Sequence, residues 1–362
     1  MANMAKFYKL KVAEVTRETA DCVSIAFDIP EEGKKDYAYI QGQYLTLKLK
    51  INGEDIRRSY SICSSPIGDE KLRVAIKKVK DGKGSIYLNE KVKAGDELEV
   101  MTPMGNFHTE LNPSHKKTYV LFAGGSGITP MLSIIKTVLN VEKESKIILF
   151  YGNQDEASII FKNQLDLLQQ NHADKLKVYH ILNESSDSNP IFKGIMNTEK
   201  NKTLVESFVN RNEDNEFFIC GPTGMMNGVV QALTDLKIDN KRVHIEYFAP
   251  PVEDKVINEL NTAEKPGYVK SEVTIICDGD ERTVNMEPGQ NVLEVALAAN
   301  VDAPYACRGG SCCTCRALLV EGKVEMAINF ALLDSEVEEG YILTCQSHAL
   351  TPKLVVDYDR GR

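Results

Sequence analysis

The chain has 362 residues, 43% hydrophobic and 26% charged, with a net charge of −9. That length allows two or three domains, and the negative balance leaves no basic footprint for nucleic acid. No apolar run is long enough to span a bilayer, and the polar start M-A-N-M-A-K-F-Y-K-L lacks the apolar core of a signal peptide, so the expectation is a cytoplasmic protein without a membrane partner.

The first third reads as β. Residues 7–15, 22–28, 43–51, 72–79 and 96–101 carry alternating or β-branched runs punctuated by Gly, Asn and Pro. Short strands at this spacing predict a small antiparallel barrel over residues 1–113. R-R-S-Y-S (57–61) closes one of its strands, and D-G-K-G-S (81–85) opens a helix. Arg58 can pair with a pyrophosphate, Tyr60 can lie against a planar ring, and Ser59 and Ser61 bring hydroxyls. Gly82 and Ser85 suggest an anion site at a capped helix start, with an ordinary cap as the plainer alternative.

From about Lys117 strands alternate with helices, which predicts a doubly wound α/β domain over 114–250. T-Y-V-L-F-A leads into A-G-G-S-G-I-T-P (123–130), where Gly124, Gly125, Gly127 and Thr129 can let the backbone approach a dinucleotide pyrophosphate. Pro130 stands where G-x-G-x-x-G needs its third glycine, which argues against a plain dehydrogenase. A helix is expected near 158–169. C-G-P (220–222) ends a later strand and leaves Cys220, Gly221 and Pro222 at the carboxyl edge of the sheet, where such sheets bind ligands. H-I-E-Y-F (244–248) closes the segment, with Phe248 a candidate cover for a flavin or simply a core aromatic.

Residues 251–268 are polar with flanking prolines and read as a linker. From Val269 on there are 15 acids and 8 bases, so −7 of the net −9 lies in the last quarter: an acidic module able to dock on a basic surface, or a solvated acidic face. S-E-V-T-I-I-C-D-G-D-E-R-T-V-N-M suggests a strand pair and N-V-L-E-V-A-L-A-A-N a short helix. Then comes C-R-G-G-S-C-C-T-C (307–315). Cys307, Cys312, Cys315 and Cys345 are spaced x4, x2 and x29, the plant-type spacing for a 2Fe–2S cluster. Zinc is the rival, but structural zinc sites favour paired C-x2-C knuckles. Gly309, Gly310 and Ser311 leave backbone N–H groups free to face the sulfurs. Cys313 reads as a small residue packed under the loop, and Cys22, Cys63 and Cys277 as buried thiols.

A cluster of this kind moves single electrons while a hydride carries two, so a flavin is expected between them. The order of motifs resembles a ferredoxin–NADP reductase module fused to a plant-type ferredoxin, a multidomain arrangement of flavin barrel, nicotinamide α/β domain and α+β ferredoxin-like (β-grasp) domain over 269–362. Within it the chain is most similar to the reductase subunits of phenylacetyl-CoA epoxidases, through G-Q-Y-L-T-L from Gly42, R-S-Y-S-I-C-S from Arg58, L-E-V-M-T-P-M-G-N-F from Leu98, and G-Y-I-L-T-C-Q from Gly340. The resemblance implies an oxidoreductase taking hydride from NADPH onto FAD, with Ser61 and Cys220 at the reacting centre. Electrons would then pass through the cluster to a separate diiron oxygenase of phenylacetate catabolism. A reductase for another oxygenase, a stand-alone flavin or quinone reductase, and an iron–sulfur redox sensor remain as alternatives, as does FMN for FAD. Related reductases often read Y-G-N-R where this chain has Y-G-N-Q (151–154), so the cation expected for the NADPH phosphate is missing. Asp155 and Glu156 would repel that phosphate; Ser158 and Lys162 are its remaining candidate partners, and NADH stays open.

Overall fold

The computed structural model describes residues 6–185, 189–251 and 267–361. The linker expected at 251–268 falls mostly outside them.

The first unit is built from β1 (Phe7–Thr19), β2 (Cys22–Asp28), β3 (Tyr44–Ile51), β4 (Glu54–Ser61), β5 (Leu72–Lys77) and β6 (Glu97–Met101). They form one antiparallel sheet in the order β4-β3-β6-β1-β2-β5. A bridge between Ile62 and Val74 brings the end of β4 onto β5 and closes the sheet into a barrel. Alternate residues point inward, so Leu10, Val12, Ile25, Leu47, Val74 and Val100 fill the interior. Asn52 and Gly53, at φ 52° and 84°, make the two-residue turn joining β3 to β4. The helix α1 (Lys83–Glu90) buries Leu88 against the barrel.

The second unit is a five-stranded parallel sheet of β7 (Thr118–Gly124), β8 (Lys146–Asn153), β9 (Leu176–Leu182), β10 (Asn215–Cys220) and β11 (Val243–Glu246). The order is β11-β10-β7-β8-β9, so the winding reverses between β7 and β10. β7 is buried along its whole length because both faces are covered. Tyr119 and Leu121 pack with α2 (Ile128–Val141) and α3 (Lys162–Asn171), whereas Val120 and Phe122 pack with α4 (Thr198–Phe208) and α5 (Thr223–Asp235). The helix expected near 158–169 begins later, at Lys162, because Glu156–Ser158 forms a separate 3-10 turn capped by Asp155.

The third unit holds β12 (Ser271–Cys277), β13 (Asp280–Met286), β14 (Arg316–Glu321), β15 (Val324–Met326), β16 (Tyr341–Leu343), β17 (Ser347–Ala349) and β18 (Lys353–Asp357). Five of them form a mixed sheet, β13-β12-β18-β14-β16, which grips the helix Val292–Ala298, the expected β-grasp arrangement. β12 and β13 pair as a hairpin about Asp278 and Gly279. This unit is seated on the barrel: Tyr44, Met101 and Met104 belong to its apolar core. Among the described residues, no helix is long and apolar enough to cross a membrane.

Candidate active site and cluster loop

The loop after the Val292–Ala298 helix brings the expected thiols together as two pairs. The Cys312 thiol donates to Cys307 Sγ at 3.2 Å, and Cys345 lies against Cys315. Two thiols per iron is the donor set of a dinuclear cluster. Backbone geometry serves the sulfurs. Arg308 and Gly310 take φ 54° and 70°, turning the chain so that Gly309 N–H donates to Cys307 Sγ at 3.4 Å. Gln346 Nε2 donates to Cys345 Sγ at 3.7 Å. The residues present fit a 2Fe–2S cluster. Cys313 is buried beneath the loop, its thiol donating to Ala331 O at 3.2 Å and its N–H to Tyr44 Oη of the barrel at 3.0 Å.

Beside this loop lies a cavity of about 770 Å³ whose walls come from all three units. β4 contributes Arg58, Ser59 and Ser61; the turn into α1 contributes Asp81 and Gly82, and α1 itself Lys83; the chain after β11 contributes Phe248; the cluster loop contributes Cys307 and Cys312. Arg58 is exposed, with its guanidinium donating to Arg57 O at 2.8 Å. Ser59 Oγ shares a hydrogen bond with Thr46 Oγ1 at 3.0 Å. Tyr60 packs against the barrel core and is not part of the cavity wall, and burial raises the pKa of its phenol. A Cβ on Gly82 would lie 2.7 Å from Ser85 Oγ and 3.0 Å from Val79 O, so the turn there needs glycine. Gly82, not Ser85, stands at the helix N-cap. The Ser85 hydroxyl accepts from Val79 N–H at 3.0 Å and donates to Gly82 O at 3.1 Å, bracing the turn from behind. Phe248 is 44% exposed at the cavity rim. A cavity of this size carrying a guanidinium and hydroxyls fits a flavin nucleotide.

At the reversal point of the parallel sheet the two glycine motifs meet. A Cβ on Gly127 would stand 2.1 Å from Cys220 O, one on Gly221 2.9 Å from Gly124 N, and one on Gly124 2.5 Å from Pro222 Cδ. Gly125 has φ 51°, and its carbonyl accepts from Tyr151 Oη at 2.9 Å. Thr129 is buried and donates to Ser126 O at 3.0 Å. The two motifs therefore pack closely, largely backbone to backbone, at the start of α2, which fits a dinucleotide pyrophosphate site.

Further along the edge the candidate phosphate partners are engaged. Ser158 and Asp155 close a reciprocal cap, with Ser158 Oγ donating to Asp155 O at 2.8 Å. Lys162 pairs with Asp166 at 3.0 Å and Glu156 at 3.4 Å. Gln154 Nε2 donates to Glu184 Oε1 at 2.5 Å.

Three contributors escaped the sequence reading. Glu246 ends β11 opposite Cys220 of β10 and accepts from Ser61 Oγ at 3.0 Å. Burial pushes its pKa up to about 8 against the pull of that hydrogen bond, although part of the residue remains open to the cavity. Cys220 is fully buried, and burial followed by the nearby Glu246 pushes its thiol pKa well up. An acid inside the otherwise apolar H-I-E-Y-F was the available signal. Arg57 is buried between barrel and third unit, and Asn106 Nδ2 donates to Glu336 Oε2 at 2.6 Å across the same interface. Neither position carries a sequence mark of its role.

Comparison with known proteins gives three family matches in chain order. An oxidoreductase FAD-binding domain matches residues 9–109, an oxidoreductase NAD-binding domain 121–231, and a 2Fe-2S iron-sulfur cluster binding domain 275–350. The chain is 37% identical over 359 residues to a subunit of the 1,2-phenylacetyl-CoA epoxidase of Escherichia coli (strain K12), covering 98% of this chain and 99% of that protein. It is 34% identical to the ferredoxin reductase component of 3-ketosteroid-9-alpha-monooxygenase from Rhodococcus rhodochrous, covering 96% of each. Among solved structures, phthalate dioxygenase reductase shares the fold at a TM-score of 0.59 and 24% identity, covering 97% of this chain and 98% of that one.

Proposed function

The chain belongs to the family of oxygenase reductase components that join FAD-binding, NAD-binding and 2Fe-2S domains, and from that premise we propose that it supplies electrons to the oxygenase component of a phenylacetyl-CoA epoxidase. As in that family it is an oxidoreductase. The observation that carries the reading is the shared cavity, which β4 and the cluster loop both line. Full-length similarity to the epoxidase component supports the choice of partner. We place the protein in the cytoplasm, where reduced nicotinamide coenzymes and free thiols are available.

A bound flavin would supply the link between two-electron hydride chemistry and single-electron transfer to the cluster. The chain's own residues hold and insulate these groups. Arg58 offers its guanidinium to the flavin pyrophosphate. Ser61 presents its hydroxyl to the ring edge and is held by Glu246. The glycines at 124, 127 and 221 let the two motifs pack tightly at the sheet edge that would take the coenzyme pyrophosphate, and Phe248 screens the cavity mouth. Cys307, Cys312, Cys315 and Cys345 would hold the irons.

The test is cofactor analysis followed by reconstitution. Purified protein should contain about two irons and one FAD per chain. Reduced coenzyme should bleach the flavin and cluster bands, and phenylacetyl-CoA should then be consumed only when the oxygenase component is present. Zinc in place of iron, or full turnover without the oxygenase, would refute the proposal.

A further inference from the structure

Arg57 and Arg58 are neighbours in one strand and both line the cavity, but they differ in exposure. Arg58 is exposed at the cavity, whereas Arg57 is only 4% exposed. The Arg57 guanidinium lies 5.2 Å from the ring centroid of Phe7 in the barrel and 4.5 Å from that of Tyr305 in the third unit. Its Nη1 donates to Ala303 O at 3.2 Å, and its Nη2 pairs with the Asp302 carboxylate. A cation held between two rings and two oxygens uses the planar fork that only arginine has.

The partners are not scattered. Asp302, Ala303 and Tyr305 form one stretch that runs directly into Cys307. A second cation on Tyr305 is Arg308, 4.3 Å from its ring centroid and next to that cysteine. On the barrel side, Arg57 O accepts from the Arg58 guanidinium at 2.8 Å. One residue therefore grips the approach to the cluster loop with its side chain and the flavin-facing cation with its carbonyl. Apolar barrel residues such as Tyr44 and Met104, which join the third unit's core, give the interface area, but a charge buried there costs desolvation that simple adhesion does not need.

We infer that Arg57 is the positioning residue that fixes the cluster loop against the flavin cavity, so that flavin-to-cluster transfer depends on its fork. The inference rests on the electron-transfer reading given above, and it assigns Arg57 no contact with either cofactor.

The experiment uses the full-length holoprotein and two readouts. Anaerobic stopped-flow follows flavin bleaching and cluster bleaching separately after mixing with reduced coenzyme. Arg57→Lys keeps the charge but loses the fork; it should slow cluster reduction about ten-fold or more, since a small displacement costs a positioned reaction heavily, and leave flavin reduction within about two-fold. Tyr305→Phe keeps the ring face and should retain the wild-type rate, whereas Tyr305→Leu should fall with Arg57→Lys. Small-angle X-ray scattering, which needs no turnover, should show a larger radius of gyration for Arg57→Lys and Arg57→Ala with iron content unchanged. Wild-type cluster reduction in Arg57→Lys together with an unchanged radius would overturn the inference. So would a slowing shared equally by flavin and cluster. If the wild-type cluster is never reduced by coenzyme, the electron-transfer reading fails, and scattering still decides whether Arg57 holds the loop.

Discussion

The Ser61 hydroxyl of the barrel donates to the Glu246 carboxyl of the α/β domain at 3.0 Å. This bond crosses a domain boundary at the wall of the flavin cavity, and Glu246 stands directly across the ladder from the buried Cys220. Burial pushes the Glu246 pKa up to about 8, so the folded protein keeps a proton there at neutral pH.

Coenzyme-dependent flavin reduction should therefore fall as pH rises through about 8, when Glu246 becomes a carboxylate beside Cys220. Glu246→Gln should flatten that limb of the pH–rate profile. The stability effect has a definite sign. The unfolded chain releases this proton above about pH 4.3 while the folded chain holds it to about 8, so rising pH across that window costs stability. In flavin-free protein, Glu246→Gln should gain melting temperature relative to wild type between those values and not below them. Parallel melting curves at pH 4 and pH 8 check it; an equal difference at both would place the proton elsewhere.

Cys312→Ala should abolish the cluster, because Cys312 pairs with Cys307 in the nine-residue loop. The spare thiol, Cys313, is engaged with Ala331 O, and its backbone is fixed by Tyr44. Ferricyanide reduction from the flavin should persist while delivery to the oxygenase stops. Cys313→Ser should keep both irons. Iron content and the two activities, measured side by side, decide it.

Gly127→Ala should damage the coenzyme edge, since the added Cβ would stand 2.1 Å from Cys220 O, a backbone atom that cannot swing aside. Overpacking of this kind costs about 1–3 kcal/mol. Denaturant unfolding should register that loss, and coenzyme binding should weaken while flavin content stays near wild type. Gly224→Ala, where a Cβ meets nothing within 4 Å, is the control.

The cluster ligands were legible because four cysteines, three of them ligands, fall within nine residues and the spacing itself encodes the chemistry. The barrel strands were legible by alternation, except β4, whose E-D-I-R-R-S-Y-S buries only Ile56, Arg57 and Ser61 because much of the strand forms a cavity wall. Arg57 and Arg58 look equivalent in sequence; docking of a domain some 245 residues away separates them. Long-range contacts of this sort leave no local pattern. The engagement of Ser158 and Lys162 was readable, by contrast. Asp155 stands three residues before Ser158, a capping distance, and Asp166 four after Lys162, a helical ion-pair distance.

That engagement bears on coenzyme choice. In doubly wound sheets the residues after the second strand face the adenine ribose, where an acid suits the free 2′-hydroxyl of NADH and an arginine the 2′-phosphate of NADPH. After β8 this chain has Gln154, Asp155 and Glu156, and Glu184 of the neighbouring turn is hydrogen-bonded to Gln154 at 2.5 Å. Lys162 is already shared between Asp166 and Glu156. A phosphate placed here meets carboxylates and no uncommitted cation among the described side chains of this turn, so the wild type should favour NADH. Gln154→Arg supplies the missing fork and sets a positive charge beside Glu184. An arginine–phosphate contact contributes about 1.5–3 kcal/mol. At about 1.4 kcal/mol per factor of ten, the preference should move toward NADPH by roughly ten-fold or more. Glu184→Gln should move it the same way by removing repulsion, and Lys162→Ala should leave NADH use nearly unchanged. The ratio of kcat/KM for the two coenzymes measures this. Titration with 2′-AMP against 5′-AMP gives the same comparison without turnover. If neither Gln154→Arg nor Glu184→Gln shifts either ratio, residues 151–162 do not face the ribose.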